Sequence, residues 1–426
     1  MKSSRIVRLA GALLAPLLVA GATMAYAGAA SAGTRPHGRV LYVSHSAKPH
    51  NSDKSCRSAA FATIQSAVAA APAGGTVIVC AGTYHEQVVI SQPLTLTGQR
   101  AVIDETGVTP TFQVTLPGLR TQTIYAGVVI VSSRVTLSGF TIRDAQGEGI
   151  LAAGLGRVIR HIAISHNAVV NNDLGGVPPK SPYFQCAAQG AVPGDCGEGV
   201  HFAGNIADSR IWDNLIARNS GGVLMSDDVG PNHNNVIEDN VVTGNAADCG
   251  ITVPGHNPGA LNAAGVPQPK VAGVYDNVIR NNVVTGNGTT GFGAGVLFAN
   301  ASAGTASYDN LVEGNYIAGN GLSGVTMHAH IVGPGQFEDL SGNVIVGNVI
   351  GRNNLLGDPL DGPPGPSDMQ TTAVLVYSSG TKVTVRIARN FISSNSIGVW
   401  LSSAVRASGL RTNTFRNVTT PISGGH

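Results

Sequence analysis

Apolar and polar positions along this chain follow two short signatures that alternate, with no long helical period. From residue 149 onward, Gly or Ala followed by Val or Ile opens an alternating run at Gly149-Ile150, Gly199-Val200, Gly222-Val223, Gly250-Ile251, Gly295-Val296, Gly324-Val325, Ala373-Val374 and Gly398-Val399. Between these runs stand asparagine pairs five apart with apolar residues inside. They are Asn167 and Asn172, Asn214 and Asn219, Asn240 and Asn245, Asn282 and Asn287, Asn315 and Asn320, Asn348 and Asn353, and Asn390 and Asn395. Alternation of period two predicts short strands, and the Gly and Asn between them predict bends. One helix is expected, over Phe61–Ala70, where Ile64, Ala67 and Val68 share a face before Pro72, Gly74 and Gly75 stop it. Extended segments at 40–43, 76–80, 87–90 and 94–98 surround it.

Repetition of one strand-and-bend unit, with insertions of unequal length, is the mark of a solenoid whose coils stack like strands in a sheet. The predicted fold is all-β, a parallel β-helix with one N-terminal helix. Residues 33–98 are read as the cap and first coils, and 99–426 as the repeating body. At a tight bend Asn tolerates the left-handed backbone region, and its amide can bond to the next coil, so the asparagines are read as structural ladders. Composition agrees: 56 glycines, 43% hydrophobic but only 12% charged residues suit short strands and turns rather than helical bundles. A net charge of +2 without basic runs argues against nucleic acid as a partner.

Residues 1–32 read as an export signal. Lys2, Arg5 and Arg8 precede an apolar stretch broken by Pro16, and small residues permit cleavage near 27 or 32. The mature chain is expected to be secreted, with no membrane span and as a monomer. Five cysteines suit an oxidising compartment. Local pairing joins Cys56 to Cys80 and Cys186 to Cys196 and leaves Cys249, read as buried, without a partner.

Insertions fall mostly after the Gly-Val strands, at 226–234, 254–275, 299–308 and 328–342, with a further loop over 177–197. Loops on one side of a rigid stack wall a groove. Counting from each Gly-Val start places Asp228, His256 and His330 at one offset, Asp227 one residue before, His328 at another and His201 nearer the start. Two adjacent carboxylates facing a His one coil away can move protons at a sugar, so Asp227, Asp228 and His256 are the expected catalytic groups. His201, His328 and His330 are expected to contact substrate. The same Asp/His set offers ligands to a divalent metal, and no other cofactor is implied. As turn residues these groups would instead be inert. Glu148 and Glu198 share the position just before the Gly, either as an acid/base pair or as solvated turn residues.

The run TIQSAVAAAPAGGTVIVCAGTYHEQVVI resembles the N-terminal cap of right-handed β-helix proteins, including the NosD-like and pectin methylesterase families. Over residues 40 to about 420 the chain resembles the secreted superfamily of pectate lyases, polygalacturonases, alginate epimerases and NosD-like repeat proteins, the last being the nearest in pattern. Asp227-Asp228 followed by Gly255-His256 is similar to the polygalacturonase double Asp and Gly-His, without that family's Asn-Thr-Asp and Arg-Ile-Lys. The resemblance implies an extracellular polysaccharide as partner, bound and then cleaved or epimerised. A glycan-binding or adhesion module, and a NosD-like metal-related maturation factor, are the alternative functions.

Overall fold

The computed structural model describes residues 40–48, 51–115, 121–173, 197–290, 293–300, 302–329, 335–357, 370–378 and 382–424. Residues 1–32, read as the export signal, lie outside them. Three parallel sheets of 21, 11 and 5 strands run along a right-handed β-helix, and a small antiparallel pair joins Gln113–Val114 to Gln122–Thr123. One coil shows the plan. Gly221–Met225 lies in the 11-stranded sheet, Asn232–His233 in the 5-stranded sheet, and Val236–Glu238 and Val241–Thr243 both in the 21-stranded sheet. The chain then returns to Ile251–Gly255, one strand further along.

The interior is a stack of β-branched and other apolar side chains. Val223, Met225, Ile237 and Val242 of one coil are fully buried, as are Ile251, Val253, Ile279 and Val284 of the next. Each such burial contributes about 1.5–3 kcal/mol before chain entropy is set against it. Where Gly opens the strand, close approach requires it; Ala373 fills the same place in one coil. A Cβ on Gly250 would lie 2.8 Å from both the Gly295 carbonyl oxygen and Asn287 Nδ2.

The asparagine ladders form, with one correction to their backbone. The left-handed residue is the one before the ladder Asn, as at Asp239 (φ 56°), Asn281 (φ 55°) and Gly319 (φ 74°), except at Asn353, where it is the following Asn354 (φ 57°). The ladder side chains turn inward instead. Asn240 donates from its backbone N–H and from Nδ2 to Asn282 Oδ1, both at 3.0 Å, and Asn282 does the same to Asn315 at 2.9 and 3.0 Å. The preceding residue makes the bend, so the Asn itself is free to plug the corner.

The capping helix spans Ile64–Ala70, shorter than expected, because Thr63 caps it by accepting from the Ser66 N–H while Phe61 bridges to Val43. Glu86 accepts from the Ile64 and Gln65 amides at 2.7 and 2.8 Å, and Ile64, Ala67 and Val68 close the first coil. The strand expected over 94–98 continues to Asp104, bending at Gly98 against Gly139 (φ 78°) without leaving the sheet. Cys56 and Cys80 form a disulfide; Cys186 and Cys196 lie outside the described residues; Cys249 is a buried thiol. Among the described residues no helix is long and apolar enough to cross a membrane.

Candidate acid–base site

The site lies on the outward face of the 11-stranded sheet, toward its N-terminal end. Glu148–Ala152, Glu198–Phe202 and Gly221–Met225 are adjacent there, with Ile150 in register with Val200 and His201 with Leu224. Gly149 and Gly199 face the interior column, since a Cβ on either would meet Asn172 or Asn219 Nδ2 at 2.8 Å. Glu148, Glu198 and His201 accordingly sit outside the core, yet are 0%, 1% and 1% exposed. The solvated-turn reading of the two glutamates is thereby corrected: both are buried.

His201 is the hub. Its Nδ1 lies 2.9 Å from Glu148 Oε1, and its Nε2 lies 2.9 Å from Ser226 Oγ and 3.6 Å from Asp228 Oδ2. Ser226 also donates to Asp228, and Asp228 Oδ1 is 2.9 Å from His256 Nδ1. Glu148 Oε2 accepts the Glu198 N–H at 3.0 Å. A polar chain therefore runs from Glu148 through His201, Ser226 and Asp228 to His256. Only His256 reaches solvent, with 24% of its side chain exposed against 8% for Asp228.

Burial alone would lower the His201 pKa, but the carboxylates of Glu148 and Asp228 on either side raise it to about 9. Burial pushes Glu148 up as well, against the pull of the His201 ring. For Asp228 burial is outweighed by His256 and His201, which hold its carboxyl well below the usual carboxylate range. An anchored carboxylate next to a solvent-facing imidazole fixes that ring's orientation and stabilises its charged form.

The expected carboxylate pair is divided between two tasks. Asp227 is fully buried and accepts from the His256, Asn257 and Gly273 amides at 2.6, 3.0 and 2.7 Å, so it fastens the loop that carries His256. Burial pushes its carboxyl up to about 6 against the pull of the His256 and Asn257 amides. His201, expected at the substrate, is buried behind Asp228. His328 is 4% exposed, in register with Tyr377, and burial lowers its pKa to about 4. It sits in a strand two places beyond the one leading to His256. His330 lies outside the described residues. Sequence reasoning missed Ser226 and the Glu148–His201 contact. Its usable signal was the shared position of Glu148 and Glu198 with His201 three residues on.

Ligand atoms of Glu148, Glu198 and His201 all lie within 4.8 Å of one another, a donor set that a metal ion could use. The remaining charged contacts of the body are peripheral, such as Glu238 between Arg210 and Arg280 on the 21-stranded sheet.

No curated protein sequence matches the chain. Among solved structures, it is similar to alginate lyase from Paenibacillus sp. str. FPU-7, at 13% identity and a TM-score of 0.47, covering 85% of this chain and 95% of that one. It is also similar to the A-module of the mannuronan C-5 epimerase AlgE4 of Azotobacter vinelandii, at 17% and 0.48, covering 84% and 92%. A third likeness is to PfbA, a surface adhesin of Streptococcus pneumoniae, at 13% and 0.49, covering 84% and 86%. The sequence model of the family described as "Protein of unknown function (DUF1565)" matches residues 48–265, from near the cap through the loop that carries His256, and the chain belongs to that family.

Proposed function

We propose that the protein acts on an extracellular polysaccharide by proton transfer at His256, oriented by Asp228. The observation that carries this reading is the hydrogen-bonded chain from buried Glu148 to solvent-facing His256. In register with His201, the positions Leu224, Thr252, Leu297, Thr326, Leu375 and Trp400 follow in six successive strands over roughly 29 Å, with Leu297 and Trp400 half-buried and the other four buried.

On a uronic acid residue, His256 would take the proton beside the sugar carboxylate. Expulsion of the glycosidic oxygen, protonated by the imidazolium or by water, then cleaves the chain by elimination, while delivery of a proton from water to the opposite face inverts the carbon. Asp228 stabilises the imidazolium formed in the first step, and the His201–Glu148 pair keeps Asp228 ionised and in place. Asp227 holds the loop and does not touch substrate.

Non-catalytic glycan binding is the second reading, favoured by a different observation. Tyr377 and Trp400 stack at a centroid separation of 6.4 Å on the same outward face, and both are half-buried. Such a pair offers an apolar platform to the C–H face of a sugar ring.

A panel of acidic and neutral polysaccharides, assayed for unsaturated products, reducing ends and inverted residues, tests the first reading. Turnover that disappears in Asp228→Asn while polymer binding persists supports it. Binding by the unmodified protein with no turnover on any polymer replaces it with the second.

A further inference from the structure

We infer that Glu148, Glu198 and His201 form a binding site for one divalent transition-metal cation, of the zinc or manganese kind, behind the Asp228–His256 pair. The inference goes beyond the polysaccharide reading and does not depend on it.

The donors are placed by the sheet, not by loops. Glu148 and Glu198 occupy equivalent positions on adjacent strands, because Ile150 is in register with Val200 two residues on. His201 follows Glu198 by three residues on the same strand, and the inward turn of Gly199 brings both side chains to the outer face. All three ligand atoms fall within 4.8 Å of one another, a separation that modest side-chain rotation closes around an ion. Sites on strands hold such geometry better than sites on loops.

The second observation concerns the far side of the imidazole. His201 presents Nδ1 to Glu148, while Nε2 faces Ser226 Oγ at 2.9 Å and Asp228 Oδ2 at 3.6 Å. A metal-bound histidine almost always donates its other N–H to a carboxylate or similar acceptor, which fixes ring and tautomer and strengthens the ligand. Ser226 Oγ is the acceptor in that outer position, and it donates onward to Asp228, itself tied to His256 at 2.9 Å.

Charge points the same way. Two carboxylates and one imidazole, each at most 1% exposed, carry a net negative charge when the glutamates are ionised and His201 is protonated. Burying that excess is costly unless a proton or a cation offsets it. The mixed donor set bounds the ion, since imidazole suits zinc, copper, iron and nickel and the two carboxylates also suit manganese, whereas magnesium and calcium prefer all-oxygen sets. Two carboxylates and a neutral imidazole would balance a divalent charge.

The test uses tag-free, full-length protein, stripped by chelator and titrated with Zn²⁺, Mn²⁺ and Ca²⁺ in separate calorimetric experiments, with elemental analysis of the protein as purified. One zinc or manganese per chain is expected, with a melting temperature raised by roughly 3 °C at a hundredfold excess over Kd. Calcium should bind at least tenfold more weakly. Glu198→Gln should abolish stoichiometric binding, and Asp228→Asn should weaken it by about 10–100-fold. Glu238→Gln, on another face, should leave it unchanged. Absence of stoichiometric zinc or manganese binding by the unmodified protein overturns the site, as does binding that survives both Glu198→Gln and His201→Gln. Because no polymer is present, failure here leaves the polysaccharide reading to its own assay.

Discussion

Two regions of this molecule stack polar side chains from coil to coil, and they differ in whether the stack completes itself. In the asparagine ladder every member is the same. Asn282 accepts from Asn240 through one oxygen and donates through one nitrogen to Asn315, Ile237 and Arg280 oxygens. No charge is involved, and the pattern continues unchanged through successive coils. On the outer face of the 11-stranded sheet the stacked groups are unlike: two glutamates, a histidine, a serine, an aspartate and a second histidine. That stack carries charge, stops after a few coils and ends at solvent. Uniform repetition makes a brace, whereas variation at the same kind of position makes a site.

The sharpest way to break the comparison is to interrupt the brace. Asn282→Ala removes the acceptor of Asn240 and the donors to Ile237, Arg280 and Asn315, leaving several buried groups unpaired. Each such group costs about 1–3 kcal/mol, and with partial relaxation the loss should be about 3–5 kcal/mol. Denaturant unfolding measures it. Asn282→Asp should be no better, because a carboxylate cannot donate to three oxygens. A cost below about 1 kcal/mol would mean that the ladder does not brace the coils.

The outer stack should fail in the opposite manner. Asp228→Asn keeps the shape and exchanges a charge-assisted contact with His256 for a neutral one. Turnover should fall by roughly 10²–10⁴-fold, while unfolding shifts less than in the ladder variant. Equal damage to stability in both variants would erase the distinction between brace and site.

How far these regions could be read from sequence follows from the same contrast. The ladder was legible because its members recur at one spacing with apolar residues between, a pattern only a stacked solenoid explains. Its left-handed backbone was assigned one residue late, since the sequence shows which residue repeats but not which one bends. Asp228 and His256 were legible because both stand five residues beyond their Gly-Val starts, and equal offsets become vertical neighbours. His201 and Glu148 stand at different offsets, so their 2.9 Å contact could not be counted out. The role of Asp227 depended on the path of the 256–273 loop, which returns backbone amides to its carboxylate. Burial of Glu148 and Glu198 could not be read either, because equal offsets place residues in one file but say nothing of their exposure.

A third prediction concerns a buried acid outside both stacks. Glu105 is 1% exposed, and burial raises its pKa to about 8 from an ordinary 4.5. Between those values the folded protein binds more protons than the unfolded chain, so this residue removes stability as pH rises from 4.5 toward 8. Glu105→Gln should therefore match the parent near pH 4.5 and become the more stable by about 1–3 kcal/mol near pH 8. His328 acts with the opposite slope. Its pKa is lowered from 6.5 to about 4, so its contribution is complete above 6.5 and is lost as pH falls toward 4. Melting curves across pH 4–8 separate the two, and a pH-independent difference between Glu105→Gln and its parent would remove Glu105 from the account.

The smallest effect belongs to a file of charges at the water boundary. Glu238 is in register with Arg280 and Arg280 with Glu313, while Arg210, in register with Val236, reaches Glu238 from two positions aside, so alternating charges stack over three coils of the 21-stranded sheet. Glu238 is buried, but the arginine side chains are each 45% exposed. Solvent and salt screen such pairs, and ordering two long side chains offsets much of the Coulomb gain. Glu238→Gln should cost below about 1 kcal/mol, and the cost should shrink between 0.05 and 0.5 M salt, a range over which the screening length falls from roughly 14 to 4 Å. The Asn282→Ala penalty should not move over the same range, because no net charge takes part. If the Glu238 penalty were as large as the asparagine one and equally indifferent to salt, regular stacking itself would be the stabilising factor. A small, salt-sensitive penalty instead assigns the strength of the ladder to burial and complete hydrogen bonding.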